Sequence, residues 1–401
     1  MAVIKKIRKN GTDNPIGADA QNVSYSGDVS GATNVKDALD ALAAGGGSTP
    51  DMSQYGYYGQ NYPEQMAVVR NILSKNKYGS SKPRLRFIHI SDSHGDNIGE
   101  ANSLLANTDA DFAVHTGDGV ADKYTDGVTS LFAKMLACEK PFFYAIGNHD
   151  CLSSTSKPTV TLADRYSQYI EPIVTKSAWY GTGITLNHPT GKTYYSVDYT
   201  KSSAKYKCIF LDQADGVGDV DGTTGHDNSA VIFGSMSNDQ VVWFIEQLQS
   251  AATNSQHVMV FVHVKPENLN QLQNWSDHLT SQWQINAGAM LMNIVAAFKN
   301  KQTYTYNGTD YSFSANGIFV GWFVGHTHFD DYGYCKSHND QFVFVVTKPY
   351  EPGATQWDGN DGGPHINYIT VDYEVRRVSL YRMGVQDTIM GTKRVAFHIN
   401  Y

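Results

Sequence analysis

Five short apolar segments of this chain each end in polar side chains of the kinds that bind metal ions. The segments are IHISDSH, AVHTGD, YAIGNH, VFVH and WFVGHTH, and they place at their ends Asp92, His94, Asp118, Asn148, His149, His263, His326 and His328. In open α/β sheets, ligands bind beyond the carboxyl ends of the strands, because the loops of neighbouring strands meet at that edge. We therefore expect these side chains, far apart in the sequence, to lie close together in the fold.

The order of the helical and strand patterns indicates an α/β protein. Helices and strands alternate from residue 63 onward, and consecutive strands follow in the last third of the chain. This order predicts a four-layer αββα sandwich, in which two mixed β-sheets pack together between helices. The dipeptide Asn307-Gly308, between two strand-like runs, predicts a hairpin within the last third.

The spacing of the polar residues favours metal binding. Residues two apart at an extended strand end project from the same face, so both members of Asp92-Ser93-His94, or of His326-Thr327-His328, can reach one centre. Imidazoles, carboxylates and an amide oxygen, without a thiolate, suit zinc, manganese, iron or nickel. The set is too large for one tetrahedral ion, and two ions that share a bridging carboxylate account for it economically.

Each pattern has a structural alternative when it is taken singly. The sequence GNHD at residues 147–150 is typical of a tight turn, and a histidine such as His263 at the end of an apolar strand is commonly a core residue. His115, inside a strand, is interpreted as a core residue or as a residue that supports the metal ligands. The five patterns together, in this order, favour a shared metal site.

These motifs resemble those of the calcineurin-like metallophosphoesterases over residues 84–335: D-x-H, G-D, G-N-H-D, a lone histidine after an apolar strand, and G-H-x-H. The resemblance implies that His149 contacts the scissile phosphate and protonates or stabilises the leaving oxygen. It also implies two metal ions, which supply hydroxide for in-line attack at neutral pH. The implied ligands are Asp92, His94 and His328 for the first ion, Asn148, His263 and His326 for the second, and Asp118 between the two.

One position departs from the family pattern. The family usually has an acidic residue three positions after the bridging aspartate, where it orients the catalytic histidine, but here that position is Ala121. Asp122 can take this role if the loop bulges by one residue, and Asp150 and Asp96 are the alternatives. Lys265, two residues after His263, is either a cation for the substrate phosphate or a solvated loop lysine.

The first 44 residues differ in composition from the rest and form a predicted attachment segment. Val35, Ala38, Leu39 and Leu42 have helical spacing, and residues 45–62 are typical of a flexible linker ahead of a phosphoesterase domain at residues 63–401. The segment resembles parts of phage tail and baseplate proteins, which implies tail-protein partners, a homotrimer formed through this helix and a place in the virion. An ordinary N-terminal extension is the alternative.

Composition excludes several classes of function. The net charge of -8, without a basic stripe, argues against a nucleic-acid backbone-binding surface. No segment has the apolar length of a membrane span or of a signal peptide, so we expect synthesis in the cytoplasm. The predicted function is a dinuclear phosphodiesterase that acts on a cell-surface phosphodiester polymer. The alternatives are a phosphomonoesterase or nucleotidase, and a receptor-binding virion module with a vestigial site.

Overall fold

The computed structural model describes residues 6–9, 12–15, 84–95, 97–120, 127–152, 159–221, 234–266, 269–270, 286–327, 331–335, 343–346, 365–383 and 396–401. The chain divides into two units, residues 1–71 and residues 72–401. The described part of the first unit is an antiparallel hairpin of β1 (Lys6–Lys9) and β2 (Thr12–Pro15). The predicted helix around Leu39 and the predicted linker lie outside the described residues, so the domain boundaries at residues 44 and 62 stay predictions.

The described part of the second unit contains both strands and helices. Its strands are β3 (Leu85–Ile90), β4 (Phe112–His115), β5 (Phe142–Tyr144), β6 (Thr159–Val160), β7 (Ile184–Asn187), β8 (Tyr195–Lys201), β9 (Ala204–Phe210), β10 (Val220–Asp221), β11 (His257–Phe261), β12 (Leu269–Asn270), β13 (Thr303–Tyr306), β14 (Thr309–Ser312), β15 (Ile318–Val324), β16 (Asp331–Cys335), β17 (Val343–Val346), β18 (Ile366–Asp372), β19 (Arg377–Met383) and β20 (Ala396–Asn400). Its helices are α1 (Gly99–Asn107), α2 (Gly127–Leu136), α3 (Leu162–Arg165), α4 (Glu171–Val174), α5 (Asn238–Asn254) and α6 (Gly288–Lys299). A π-helical turn (Tyr166–Ile170) joins α3 to α4.

The first large sheet has six strands in the order β20-β19-β18-β3-β4-β5. Strands β3, β4 and β5 are parallel, and β18, β19 and β20 extend the sheet in antiparallel fashion. The parallel strands read as nearly continuous apolar runs because both of their faces are buried. Their carboxyl ends lie side by side, which places the loops after Ile90, His115 and Tyr144 at one edge.

The second large sheet has eight strands in the order β12-β16-β17-β15-β11-β9-β8-β7. Its central strands β9, β11, β15 and β17 are parallel, so the loops after β11 and β15 also leave from one edge. The remaining pairs are antiparallel. The hairpin predicted at Asn307-Gly308 is confirmed: it joins β13 to β14, and both residues have the positive φ angles that a type I′ turn requires.

The two large sheets pack face to face through an aromatic core. The ring of Phe87 on β3 makes edge contacts with Phe261 on β11 and Phe323 on β15, at centroid distances of 5.6 and 5.2 Å. Neighbouring side chains on a strand point to opposite faces, so Val260 and Trp322 turn away from this interface. They pack instead in a cluster with residues of α5 and α6.

Helices cover the outer faces of the sandwich. Helices α5 and α6 lie on the eight-stranded sheet, and α1 contacts β3, β4 and α2 of the six-stranded side. The predicted four-layer α/β sandwich of two mixed sheets is therefore confirmed. Within the part of the chain that the structure describes, no helix combines the length and the apolar character needed to cross a bilayer.

Candidate metal centre

The loops that follow β3, β4, β5, β11 and β15 converge on one buried cluster of polar side chains. Asp118, from the six-stranded sheet, has its Oδ2 atom 3.0 Å from Nε2 of His263, which comes from the eight-stranded sheet. The same Nε2 atom lies 3.0 Å from Oδ1 of Asn148 and 3.9 Å from Oδ1 of Asp92. Both sheets therefore contribute to the cluster, as expected from the positions of the strand ends.

Two groups of potential metal ligands share Asp118. One group is Asp92, His94 and Asp118, and the other is Asp118, His263 and His326; within each group one ligand atom per residue lies within 4.8 Å of the others. Asn148 and His149 lie beside these groups. His328 and Asp122 lie outside the described residues, so their expected positions stay predictions.

The ring of His263 is fixed by a hydrogen bond on the side away from the cluster. Its Nδ1 atom donates to the carbonyl oxygen of Thr116 at 2.6 Å, which leaves Nε2 directed at the carboxylates. Burial opposes a charged imidazole, but Asp118 and Asp92 outweigh that effect and raise the pKa of His263 to about 9. Burial likewise opposes a charged carboxylate, yet the attraction of His263 holds the pKa of Asp118 well below its usual range.

The donor set fits transition-metal ions. Two carboxylates and an imidazole nitrogen face one another closely enough that a proton on His263 is stabilised between them. A divalent cation at that position would meet the same oxygen and nitrogen atoms and would satisfy their charge more fully. Carboxylate, imidazole and amide donors without a thiolate are compatible with manganese, iron, zinc or nickel, and the choice among these metals stays a prediction.

The backbone of the cluster is strained at the residues that carry the ligands. Asp92, His94, Asp118 and His326 all have positive φ angles, between 45° and 68°. This left-handed conformation is unfavourable for residues other than glycine and costs about 1–3 kcal/mol each, so it persists only where the surroundings enforce it. Such strain concentrated at four potential ligands points to a functional site.

Glycines allow the loops to approach one another closely. A Cβ atom on Gly147 would lie 2.2 Å from Oδ1 of Asp118. A Cβ atom on Gly325 would overlap Oγ of Ser91 and lie 2.6 Å from Oδ2 of Asp92. The Asp92 carboxylate also accepts a hydrogen bond from the backbone N–H of His326 at 3.1 Å, so the loops of the two sheets are joined directly.

His149 lies at the solvent edge of the cluster. Its side chain is 25% exposed, whereas those of Asp118 and His263 are almost completely buried. Its backbone N–H donates to Oδ1 of Asp118 at 2.8 Å, and its ring packs edge-on against that of His94 at a centroid distance of 4.9 Å. Burial lowers the pKa of His149 below its usual value.

Asp150 has a different set of contacts from the one considered from the sequence. Its two carboxylate oxygens accept hydrogen bonds from the backbone N–H groups of Asp118, Gly119 and Gly147 and from the hydroxyl of Tyr144. These contacts tie the loop after β4 to the loop after β5. Asp96, the other alternative for orienting His149, lies outside the described residues.

Two further side chains have defined places near the cluster. His115 is buried; its Nδ1 accepts from the N–H of Gly117, so Nε2 carries the proton and lies 2.9 Å from Oγ of Ser93. These contacts fit both interpretations considered from the sequence, a core residue and a residue that supports the metal ligands. Lys265, interpreted either as a cation for the phosphate or as a solvated loop residue, is buried.

Sequence reasoning missed Tyr144 and Thr116. Tyr144 bonds to both the loop after β4 and the loop after β5, and the carbonyl oxygen of Thr116 orients His263. The signal for Tyr144 was its hydroxyl in the otherwise apolar segment FFYAIG, directly before GNHD. Thr116 acts through its backbone, which no side-chain pattern reveals.

The family model described as calcineurin-like phosphoesterase matches residues 85–330. Among solved structures, a dimetal phosphatase from Danio rerio is 13% identical, with a TM-score of 0.48 over 80% of this chain and 99% of that chain. A Staphylococcus aureus protein described as a 5′-nucleotidase and solved with alpha-ketoglutarate is 11% identical, with a TM-score of 0.36 over 72% of this chain and 51% of that chain. No curated protein matches the sequence.

Proposed function

Because this chain belongs to the calcineurin-like phosphoesterase family, we propose that it is a metal-dependent hydrolase of phosphoric esters whose active centre is the cluster around Asp118. The observation that carries the proposal is the membership of Asp118 in both groups of potential ligands. A carboxylate shared in this way can hold two ions side by side, as two-metal phosphoesterase chemistry requires.

The proposed ligands follow the two groups. The first ion takes Asp92, His94 and Asp118, with His328 added from the sequence motif; the second takes Asp118, Asn148, His263 and His326. Manganese, iron, zinc and nickel all suit these donors.

Two such ions, when bound, polarise phosphoryl oxygens and make a water molecule acidic enough to act as the nucleophile near neutral pH. The protein's own groups arrange the reactants. The hydrogen bond from His263 to Thr116 keeps Nε2 directed into the centre. The bond from the His149 backbone to Asp118 places the His149 ring next to the shared carboxylate. From the solvent edge, the ring would protonate or stabilise the leaving oxygen.

The proposal is tested with metal content and turnover measured on the same preparation. The intact chain, loaded with Mn²⁺, is expected to bind two ions and to hydrolyse bis(p-nitrophenyl) phosphate. Asp118→Asn is expected to lose both properties, whereas Asp239→Asn, at an exposed position on α5, is a matched control that keeps them. Two bound ions without hydrolysis of any phosphoric ester would refute the enzymatic role.

We further propose that diesters are preferred over monoesters. The support is the resemblance of residues 1–44 to tail proteins, which would place the enzyme in a virion near cell-surface phosphodiester polymers such as teichoic acids. Hydrolysis of p-nitrophenyl phosphate in preference to the diester would favour the phosphomonoesterase or nucleotidase alternative. Cleavage of soluble nucleotides with no action on purified wall polymer would count against the surface substrate.

The same resemblance supports two proposals about assembly: contact with other tail proteins, and a homotrimer formed through the predicted helix at Val35, Ala38, Leu39 and Leu42. Light scattering of the chain with and without residues 1–44 tests the trimer. A monomer in both cases would reject it. A receptor-binding module with a vestigial site is disfavoured, because such a module has no need of the full set of ligand motifs that the sequence carries.

A further inference from the structure

The hydroxyl of Tyr144 lies at the point where the loops after β4 and β5 are joined. Tyr144 is the last residue of β5 and is completely buried. Its hydroxyl donates to Oδ2 of Asp150 at 2.6 Å and accepts from the backbone N–H of Gly119 at 2.8 Å. One oxygen atom therefore contacts both loops. It bonds to Gly119, the residue after Asp118 in the loop after β4, and to Asp150 in the loop after β5.

Asp150 continues this connection to Asp118 itself. Its Oδ2 accepts from the N–H groups of Asp118 at 3.1 Å and of Gly147 at 2.8 Å, and its Oδ1 accepts from Gly119 at 3.1 Å. In return, Oδ1 of Asp118 accepts from the N–H of His149 at 2.8 Å. The carboxylate of each loop thus accepts hydrogen bonds from the backbone of the other loop. The Tyr144 hydroxyl adds a side-chain donor to the carboxylate of Asp150.

The backbone that these bonds hold is strained. Asp118 has a φ of 57°, a conformation that needs enforcement from its surroundings. The ring of Tyr144 is itself held firmly, because it stacks on His115 at 5.0 Å and on Tyr169 at 5.7 Å. The ring is therefore rigid, and its hydroxyl makes two hydrogen bonds. Such a group can determine the position of the loop.

We propose that Tyr144 is a positioning residue for the metal centre: through its hydroxyl, and through Asp150, it fixes the Asp118 carboxylate where both ions can share it. The inference rests on the proposed function, since it assumes that Asp118 holds two ions. Groups that orient metal ligands typically change metal affinity or activity by about 10–100-fold when they are removed. Tyr144→Phe removes only the hydroxyl and leaves Asp150 with its three backbone donors, so a folded protein with an altered centre is expected.

Tyr368→Phe is a closely matched control. Tyr368 on β18 is also fully buried, and its hydroxyl also donates to a carboxylate, Oδ1 of Asp109, at 2.8 Å. Both variants therefore lose a buried hydroxyl that donates to an aspartate, and we expect similar shifts in melting temperature. The variants differ in that the Tyr144 hydroxyl contacts Gly119 and Asp150, in the loops after β4 and β5, whereas Asp109 precedes β4.

The experiment measures Mn²⁺ binding by calorimetry, and the spin coupling between the two bound ions by electron paramagnetic resonance. In Tyr144→Phe, we expect the affinity of at least one ion to fall about tenfold or more, and the coupled signal at saturating Mn²⁺ to change. Tyr368→Phe is expected to match the unmodified chain in both measurements.

Three outcomes would overturn the inference. If Tyr144→Phe binds Mn²⁺ and couples the ions as the unmodified chain does, the hydroxyl does not position Asp118. If Tyr368→Phe shows the same losses, the effect comes from the loss of any buried tyrosine hydroxyl and not from the contacts of Tyr144. If the unmodified chain binds no pair of Mn²⁺ ions, the proposed function fails and the inference fails with it. Failure of the inference alone is recognised because the unmodified chain then still binds the pair.

Discussion

Replacement of Gly147 by alanine tests whether the close contact between the loops after β4 and β5 matters for catalysis. The added Cβ atom would lie 2.2 Å from Oδ1 of Asp118, whereas real Cβ contacts are essentially never shorter than 3.0 Å. The carboxylate or the loop must therefore move by at least 0.8 Å. Movement of reacting groups by about 1 Å can reduce the rate about 100-fold, and overpacking of this kind costs about 1–3 kcal/mol of stability.

The assay for Gly147→Ala is kcat/KM for bis(p-nitrophenyl) phosphate at saturating Mn²⁺, together with the thermal unfolding midpoint. We expect kcat/KM to fall about 100-fold in a protein that still unfolds cooperatively. Gly99→Ala is the control, because Gly99 has no atom within 4 Å of its Cβ position, and it is expected to retain full activity. A kcat/KM of Gly147→Ala within threefold of that of the unmodified chain would refute the claim that catalysis depends on the position of the Asp118 carboxylate.

Four further predictions concern the pH dependence of metal binding, the pH dependence of stability, the stabilisation by metal and the role of His149. The pKa of His263 is raised from 6.5 to about 9, so metal binding below pH 9 displaces its proton. Mn²⁺ affinity should rise with pH up to about 9, with proton release seen by calorimetry in buffers of different ionisation enthalpy; a flat profile would contradict this. Without metal, the folding stability depends on pH in the opposite direction to the Mn²⁺ affinity. The stabilisation from protonated His263 is complete below pH 6.5 and is lost as the pH rises through 9. Mn²⁺ at 100 times the Kd of each site should stabilise the chain by about 2.7 kcal/mol per occupied site, measured as a higher Tm. Asp118→Asn should show no such increase. His149→Gln should lower kcat about 100-fold or more. Two ions should remain bound, because the His149 ring lies at the solvent edge of the cluster; loss of an ion would instead make His149 a ligand.

The sequence carried enough information to predict the fold and most of the cluster. The strands β3, β4, β11 and β15 are apolar runs that end in polar residues. The ends of β3 and β4 meet at one edge of the six-stranded sheet, those of β11 and β15 meet at one edge of the eight-stranded sheet, and the two sheets pack face to face. The repeated pattern of an apolar strand with a polar end was the signal by which the meeting of Asp92, Asp118 and His263 could be predicted.

The details that hold the ligands were not predictable, because they depend on contacts between distant segments. Asp150 was considered as a partner of the His149 ring, but the turn of GNHD directs its carboxylate to the backbone of the loop after β4. The left-handed conformations of Asp92 and Asp118 likewise arise where loops from different strands meet. A pattern of residue types specifies which side chains meet, whereas tertiary packing decides which backbone groups orient them.

The central claim is that Asp118 is shared by two metal ions, and anomalous X-ray diffraction from crystals of the Mn²⁺-loaded chain tests it most directly. We expect two anomalous peaks about 3.5–4 Å apart. One oxygen or both oxygens of the Asp118 carboxylate should lie between them, with Asp92 and His94 on one side and His263 and His326 on the other. A single peak, or two peaks that Asp118 does not join, would contradict the account.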